Sequence, residues 1–287
     1  MKNKIILLSG ATSGIGKAAA FSLARSGASL ILLGRNNEKG EKVCRQIKQK
    51  TGNDKIKFYK ADFSLMREVK TAAEKVKNDY ERIDVLINNA GGRFLDHKVS
   101  EEGIEQTLAV NYLSHFLLTD FLLNKLKTAP SARIINVSSS THYAGKGVIQ
   151  NITSPENYNG KQQYSDSKLA TVLFTYKLAE QLEGSNIIVN TMDPGGVATN
   201  FARNNGFVNW MKHRIYYLMK RELLTPEQGA ETIIYLTTSP KVERVTGKYF
   251  FKEKEKRSSE ISYNKEIQKR LWEISLRLVG AAISEKC

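Results

Sequence analysis

The sequence predicts an α/β fold: a doubly wound, mostly seven-stranded parallel sheet with helices on both faces. Two observations carry that prediction. Seven short apolar runs alternate with longer helical patterns along the 287 residues, an order that favours strand–helix–strand units. The runs are also continuously apolar, as in Ile5-Ile6-Leu7-Leu8 and Leu30-Ile31-Leu32-Leu33, which is the pattern of strands buried on both sides.

In order, the strands fall at 5–9, 29–33, 56–60, 85–88, 133–138, 187–192 and 248–251, and the helices between them at 15–26, 38–50, 66–78, 105–127, 165–182 and 227–237. A last helix is expected over 260–279, where Ile267, Leu271, Ile274 and Leu278 form one stripe and Gly280 offers a stop. No repeat, low-complexity tract or linker interrupts the chain, so 1–287 reads as one domain. Ligands of such sheets bind beyond the carboxyl ends of the strands.

Composition narrows the class. At 41% hydrophobic and 25% charged residues the chain is ordinary for a soluble globular protein. Cys44 and Cys287 are the only cysteines; they make no disulfide framework and no metal-site pattern, and they fit a reducing cytoplasm. Ile5–Leu8 is too short for a signal peptide or a membrane span, and the apolar stretch 108–126 is broken by Asn111, His115, Asp120 and Asn124, so it reads as a buried helix. The formal net charge is +15, and residues 1–60 hold 13 Lys and Arg against 3 Asp and Glu. With no basic tail or recognition motif, specific nucleic-acid binding is not expected. Solvated helix faces explain the charge, and a field drawing in a polyanionic cofactor is compatible with them.

The first strand runs into Gly10-Ala-Thr-Ser13-Gly14-Ile15-Gly16-Lys17 and then a helix. Glycines here permit a tight turn and close approach of a ligand, and the helix N-terminus offers free N–H groups to a pyrophosphate. The spacing resembles the short-chain dehydrogenase/reductase family, whose motif begins TGxxxGxG, with Ser9 in place of Thr. The second strand ends in Gly34-Arg35, with no carboxylate until Glu38. A carboxylate there would repel a 2′-phosphate, whereas Arg35, with Lys17 nearby, can bind one. NADP(H) is therefore expected rather than NAD(H). By resemblance, Asp62, followed by Phe63, holds the adenine amino group, and Asn88-Asn89-Ala90-Gly91 matches the NNAG motif lining the adenosine side.

Tyr164-Ser-Asp-Ser-Lys168 reads as the opening of a helix, and its four-residue spacing puts phenol and ammonium on one face. The ammonium favours the phenolate, suiting Tyr164 to general acid and base work. The resemblance supplies the rest of the set. Ser139 orients the substrate oxygen, with Ser138 the alternative by one register. Asn111 kinks its helix and holds a water that relays protons from Lys168. Pro194, Gly195, Val197 and Thr199, in Pro194-Gly-Gly-Val-Ala-Thr199, contact the nicotinamide.

Ser139 and Tyr164 lie 25 residues apart, about twice the family's usual separation, and the intervening 142–163 reads as a polar loop. Leu224-Thr-Pro-Glu-Gln-Gly-Ala-Glu-Thr232 and Lys269-Arg-Leu-Trp-Glu-Ile-Ser275 resemble the retinol dehydrogenase-like branch, which acts on lipophilic aldehydes, ketones and alcohols. The N-terminal anchor common in that branch is not expected here, since Met1-Lys-Asn-Lys runs straight into the short apolar stretch Ile5–Leu8. A substrate lid is expected at about 197–225. Its Val208, Met211, Ile215, Leu218 and Met219 stripe, interspersed with Lys212, Arg214, Lys220 and Arg221, fits a helix over the site, a lining for an apolar substrate, or a peripheral contact with anionic lipid. Helices 106–126 and 165–182 match the family's pairing surface, so a homo-oligomer and a buried core explain them equally. The rival to an enzyme is a non-catalytic NADP(H)-binding redox sensor or scaffold.

Overall fold

The computed structural model describes residues 1–146, 158–198, 211 and 223–284. One sheet of eight strands runs in the order β3-β2-β1-β4-β5-β6-β7-β8. The strands are β1 (Ile5–Ser9), β2 (Ser29–Gly34), β3 (Ile56–Lys60), β4 (Val85–Asn88), β5 (Ala132–Val137), β6 (Ile187–Asp193), β7 (Lys248–Phe251) and β8 (Lys254–Lys256). The first seven pair in parallel and match the expected strands to within a residue at each end. β8 is an addition, antiparallel to β7. Lys-Glu-Lys carries no apolar signal, and the two-residue turn before it is Lys252-Glu253, both at positive φ (50° and 61°). Turns of that kind are usually announced by Asn-Gly, and Lys252-Glu253 stands in its place here.

Side-chain alternation along the strands feeds two separate cores. On one face Ile6, Leu8, Leu30 and Leu32 meet Leu23 of α1 (Gly14–Arg25), Ile47 of α2 (Asn37–Thr51) and Ile233 of α7 (Pro226–Thr238). On the other, Leu7, Ile31 and Leu33 meet Val69 of α3 (Met66–Asp79), Leu117 of α5 (Ser114–Lys127), Leu173 of α6 (Gly160–Gln181) and Leu271 of α8 (Lys265–Ser284). The caps are chemically explicit. Asn36 accepts from the Lys39 N–H at 2.8 Å to start α2, and Thr225 and Gln228 form a capping box on α7 with Pro226 in its first turn.

Three boundaries differ from the sequence reading. The helix expected over 105–127 is α4 (Gln106–Leu108), a π-turn at Ala109–Leu113 and then α5, so the bend expected at Asn111 is a wide turn centred on it. α6 begins at Gly160, capped by the Asn159 side chain, so Tyr164 sits in its second turn and does not open the helix. A Cβ at Gly160 would lie 2.5 Å from the Phe94 carbonyl oxygen; this glycine lets the helix start against a neighbouring strand of chain. At the C-terminus, residues Glu260–Tyr263 form a 3-10 turn, and α8 then passes through Gly280 to Ser284. Burial of Val279 and Ala282 holds the last turns on the core and outweighs the glycine.

α8 packs against α6 and α3 and reaches α5 through Trp272. The Trp272 ring is 5.0 Å from Phe116 and 5.9 Å from Phe174, centre to centre, and Ser275 Oγ lies 2.7 Å from the Tyr112 hydroxyl. The chain's own last helix thus covers part of the surface that the resemblance linked to pairing. No helix among the described residues is long and apolar enough to cross a membrane. Most of the expected lid, residues 199–210 and 212–222 with Thr199 among them, lies outside the described residues. So do 147–157 of the stretch read as a polar loop; its described ends are a 3-10 turn at Ser140–Ala144 and the first turn of α6.

Candidate active site

β1 lies between β2 and β4, where the strand order reverses, and the crevice at its carboxyl end is where such sheets bind ligands. Gly10 and Gly14 have φ of +69° and +53°. A Cβ on Gly16 would lie 2.3 Å from the Gly10 carbonyl oxygen, and one on Gly10 would lie 2.8 Å from Ala90 Cα. The turn therefore packs to a density that excludes any side chain. Ser13 caps α1 without a side-chain bond, and the first turn of α1 holds no acidic residue, leaving its amides and positive dipole end open to an anion. Arg35 is exposed just past the end of β2, and Lys17 hydrogen-bonds Gln46 at 2.8 Å on the same side. A glycine cradle, a bare helix N-terminus and an arginine without a neighbouring carboxylate fit a phosphorylated dinucleotide.

The ends of β1 and β4 are stitched together beside the cradle. Ser9 Oγ accepts the N–H groups of Asn89 and Ala90, each at 2.9 Å, and the Asn89 amide donates to the Ser9 carbonyl at 2.9 Å. Asp62 accepts from Ser64 at 2.7 Å, and Phe63 is buried in the core. Val197 reaches over from the loop after β6: a Cβ on Gly229 would lie 2.6 Å from Val197 and 3.2 Å from Ile15, so both side chains pack against the bare face of Gly229 on α7. Gly195 closes that loop by donating its N–H to Asp193 at 2.9 Å, and Pro194 between them is half-buried.

Gly91, Asn111 and Lys168 converge. The position a Cβ would take on Gly91 is 3.2 Å from Asn111 Oδ1 and 3.6 Å from Lys168 Nζ. Asn111 Oδ1 accepts the Gly92 N–H at 2.8 Å, while its Nδ2 donates to the Gly92 carbonyl and to Ser167 Oγ, both at 3.0 Å. Its amide therefore fastens the loop after β4 to α6. Lys168 is buried and donates to the Val137 carbonyl at 3.0 Å. Burial pushes its pKa down to about 8, partly opposed by the buried Asp193 carboxylate. Lys168 Nζ and Arg93 Cζ lie 5.9 and 6.0 Å from the centre of the Tyr164 ring, so two cations flank that phenol within attractive range.

The two adjacent serines have different surroundings. Ser138 is buried, and its hydroxyl donates to the Lys168 carbonyl at 2.9 Å. Ser139 is half-exposed, and among the described residues its hydroxyl accepts a long contact from Thr141 N at 3.3 Å. Beneath both, Asn88 donates to Thr119 Oγ1 at 3.0 Å and to Asn136 Oδ1 at 2.8 Å, and Asn136 donates to Thr175 Oγ1 at 2.9 Å, a polar row that crosses β4 and β5 and joins them to α5 and α6. His115, one turn after Asn111, is fully enclosed; burial and then the Lys168 charge hold its pKa down to about 3, so it stays neutral.

Sequence reasoning gave no role to Ser167, Asp193, Arg93 or His142. Asp193 and Arg93 adjoin quoted motifs, and a carboxylate at a strand end is a usable signal. Ser167 and His142 carry no mark in sequence, because their roles depend on which helix face and which turn they occupy. Together, the phenol, the buried ammonium and the half-exposed hydroxyl beside a dinucleotide cradle can protonate or deprotonate an oxygen held among them.

Residues 4–207 match the family model of the short chain dehydrogenases. The chain is 37% identical to retinol dehydrogenase 13 of Mus musculus, over 98% of this chain and 85% of that protein. It is also 37% identical to the polyprenol dehydrogenase of Homo sapiens, over 97% of this chain and 86% of that protein. Among solved structures, a Shigella flexneri protein described as a short chain dehydrogenase, in complex with NADP, superposes with a TM-score of 0.67 at 26% identity, over 88% of this chain and 98% of that one.

Proposed function

We propose that this chain, which belongs to the short chain dehydrogenase family, is an NADP(H)-dependent oxidoreductase of lipophilic aldehydes, ketones or alcohols. The observation that carries the reading is the buried Lys168 ammonium, held by the Val137 carbonyl, between Tyr164 and Gly91 at the mouth of the glycine cradle. Names of relatives supply the substrate class: retinol and polyprenol are long apolar alcohols.

When bound, the nicotinamide supplies or accepts the hydride. Gly10, Ser13, Gly14, Ile15 and Gly16 would cradle the pyrophosphate, Arg35 with Lys17 would take the 2′-phosphate, and Asp62, Phe63, Asn89, Ala90 and Gly91 would line the adenosine side. Pro194, Gly195 and Val197 would face the nicotinamide, and the motif assigns Thr199 to the same contact. Ser139 hydrogen-bonds the reacting oxygen, because the neighbouring Ser138 hydroxyl is engaged by the Lys168 carbonyl. Tyr164 gives that oxygen a proton in reduction or removes one in oxidation. Lys168 favours the phenolate and holds the nicotinamide ribose. Asn111 keeps the Gly91–Gly92 loop and α6 in contact, so that the proton from Lys168 has a fixed path outward. A cytoplasmic location completes the proposal.

Titration with NADPH and NADH, followed by nicotinamide fluorescence, tests it. NADPH is expected to bind more tightly, with Arg35→Ala weakening NADPH selectively. Tyr164→Phe is expected to bind NADPH and turn over nothing. Full activity in that variant refutes the catalytic assignment, and binding without turnover in the wild type, across a panel of apolar carbonyls, makes the chain a sensor or scaffold.

A further inference from the structure

Ser139 and Tyr164 stand on different arms of the crevice, one after β5 and the other on α6, and a reaction that needs both depends on what fixes the first arm. Ser139 begins a single 3-10 turn, Ser140–Ala144. Its carbonyl accepts two bonds from the same residue, the His142 N–H at 3.0 Å and His142 Nδ1 at 2.7 Å. On the other side of the ring, Nε2 faces the Ser259 N–H at 3.2 Å.

These partners fix the state of the ring. A carbonyl oxygen cannot donate, so Nδ1 carries the hydrogen; a backbone N–H cannot accept, so Nε2 is bare. Both bonds exist together only in the neutral Nδ1–H tautomer. His142 has no solvent exposure, and its ring packs 4.0 Å from Tyr143 and 4.7 Å from Tyr249, centre to centre. The segment it grips is itself anchored: Ser258 Oγ lies 2.6 Å from the Tyr176 hydroxyl of α6 and 2.7 Å from Ser262 Oγ, and Tyr143 bonds the Arg257 carbonyl. A continuous chain of contacts therefore runs from the Ser139 backbone through His142 to the Arg257–Tyr263 segment and back to α6, three turns beyond Tyr164.

We propose that His142 is a positioning residue, which sets the Ser139 hydroxyl relative to Tyr164 by bolting the turn after β5 to the segment before α8. This rests on the oxidoreductase reading above. It touches neither substrate nor cofactor and acts only through Ser139.

A double-mutant cycle with Ser139→Ala and His142→Phe tests this, read by kcat on an apolar aldehyde with NADPH. His142→Phe keeps a flat ring but makes neither bond. It is expected to lower kcat tenfold to a hundredfold, the order of loss that follows a misplacement of about 1 Å, with the NADPH dissociation constant unchanged. In the Ser139→Ala background the same change is expected to cost less than about threefold, since the group it positions is gone. His142→Asn, which retains a donor for the Ser139 carbonyl, is expected to recover most of the lost turnover and serves as the folded variant should the Phe form not fold. Equal losses in both backgrounds, or an unchanged kcat in His142→Phe, overturn the proposal. Nitrogen-15 spectra of the imidazoles, assigned by the His142 variants, read the tautomer without turnover. An Nε2–H ring overturns the bolt even in an active enzyme, whereas an Nδ1–H ring in a protein that reduces no carbonyl refutes the oxidoreductase reading, and with it any positioning role for His142.

Discussion

Replacing Lys168 by Met tests the electrostatics of the site separately from its chemistry. The side chain is buried and its pKa falls from 10.5 to about 8. At ~1.36 kcal/mol for each pH unit between the two values, folding disfavours the ammonium relative to the amine by about 3 kcal/mol. Between pH 8 and 10.5 the unfolded chain holds the Lys168 proton and the folded chain does not. Unfolding then takes up a proton, so stability rises with pH in that window and is independent of Lys168 below it. The wild type is therefore expected to gain about 3 kcal/mol relative to Lys168→Met from pH 7 to 10.5. The variant also loses the bond to the Val137 carbonyl, but that offset is the same at every pH and leaves the slope untouched. Urea unfolding at intervals of half a pH unit, followed by circular dichroism and tryptophan fluorescence, reads the difference. Titrating groups beyond the reach of the Lys168 charge are common to both proteins and cancel. Parallel stability curves would show that Lys168 titrates near its ordinary value, and the account of a buried, destabilised ammonium would be wrong.

The two serines are expected to separate by readout. Ser138→Ala should cost about 1 kcal/mol in urea unfolding through its lost bond to the Lys168 carbonyl, whereas Ser139→Ala should lower kcat/KM by on the order of a hundredfold with little change in unfolding; the reverse pattern would transfer the orienting role to Ser138. Two glycines should respond with opposite signs. At Gly16 the added Cβ meets the Gly10 carbonyl at 2.3 Å, so Gly16→Ala should abolish detectable NADPH binding by fluorescence. At Gly280, inside α8, an added Cβ meets nothing within 4 Å, so Gly280→Ala should raise the unfolding free energy by up to about 1 kcal/mol.

The strands were the most legible part of the fold, because continuous apolar runs bounded by turns leave few alternatives. β8 was invisible for the opposite reason: a charged tripeptide at the sheet edge gains its strand from pairing with β7, which no local pattern records. Helix starts were less legible where a cap stood apart from the periodic residues. Asn159 and Gly160 precede the apolar stripe of α6, and Gly160 is tolerated there because its missing side chain admits the 94–95 backbone. The candidate site was legible wherever contiguous motifs carried it, as with Gly10 to Gly16 or Asn88 to Gly91. What the sequence concealed are the contacts between arms: Asn111 to Gly92 and Ser167, Lys168 to Val137, His142 to Ser259. These pair residues up to 117 positions apart, and only the folded register brings them together.

The polar row under the crevice has a mechanical consequence. Asn88 and Asn136 stand directly opposite one another on β4 and β5, and each arm leaves its strand at a fixed step beyond its asparagine, Gly91 from one and Ser139 from the other. A slip of β5 by one residue would turn Asn136 to the opposite face and break its contacts with Asn88 and Thr175, at a cost of about 1–3 kcal/mol for each group left unpaired. The row thus works as a key cut into the sheet. It sets the height at which both arms emerge, so the spacing between the Gly91 loop and the Ser139 turn is gauged from below before any ligand enters.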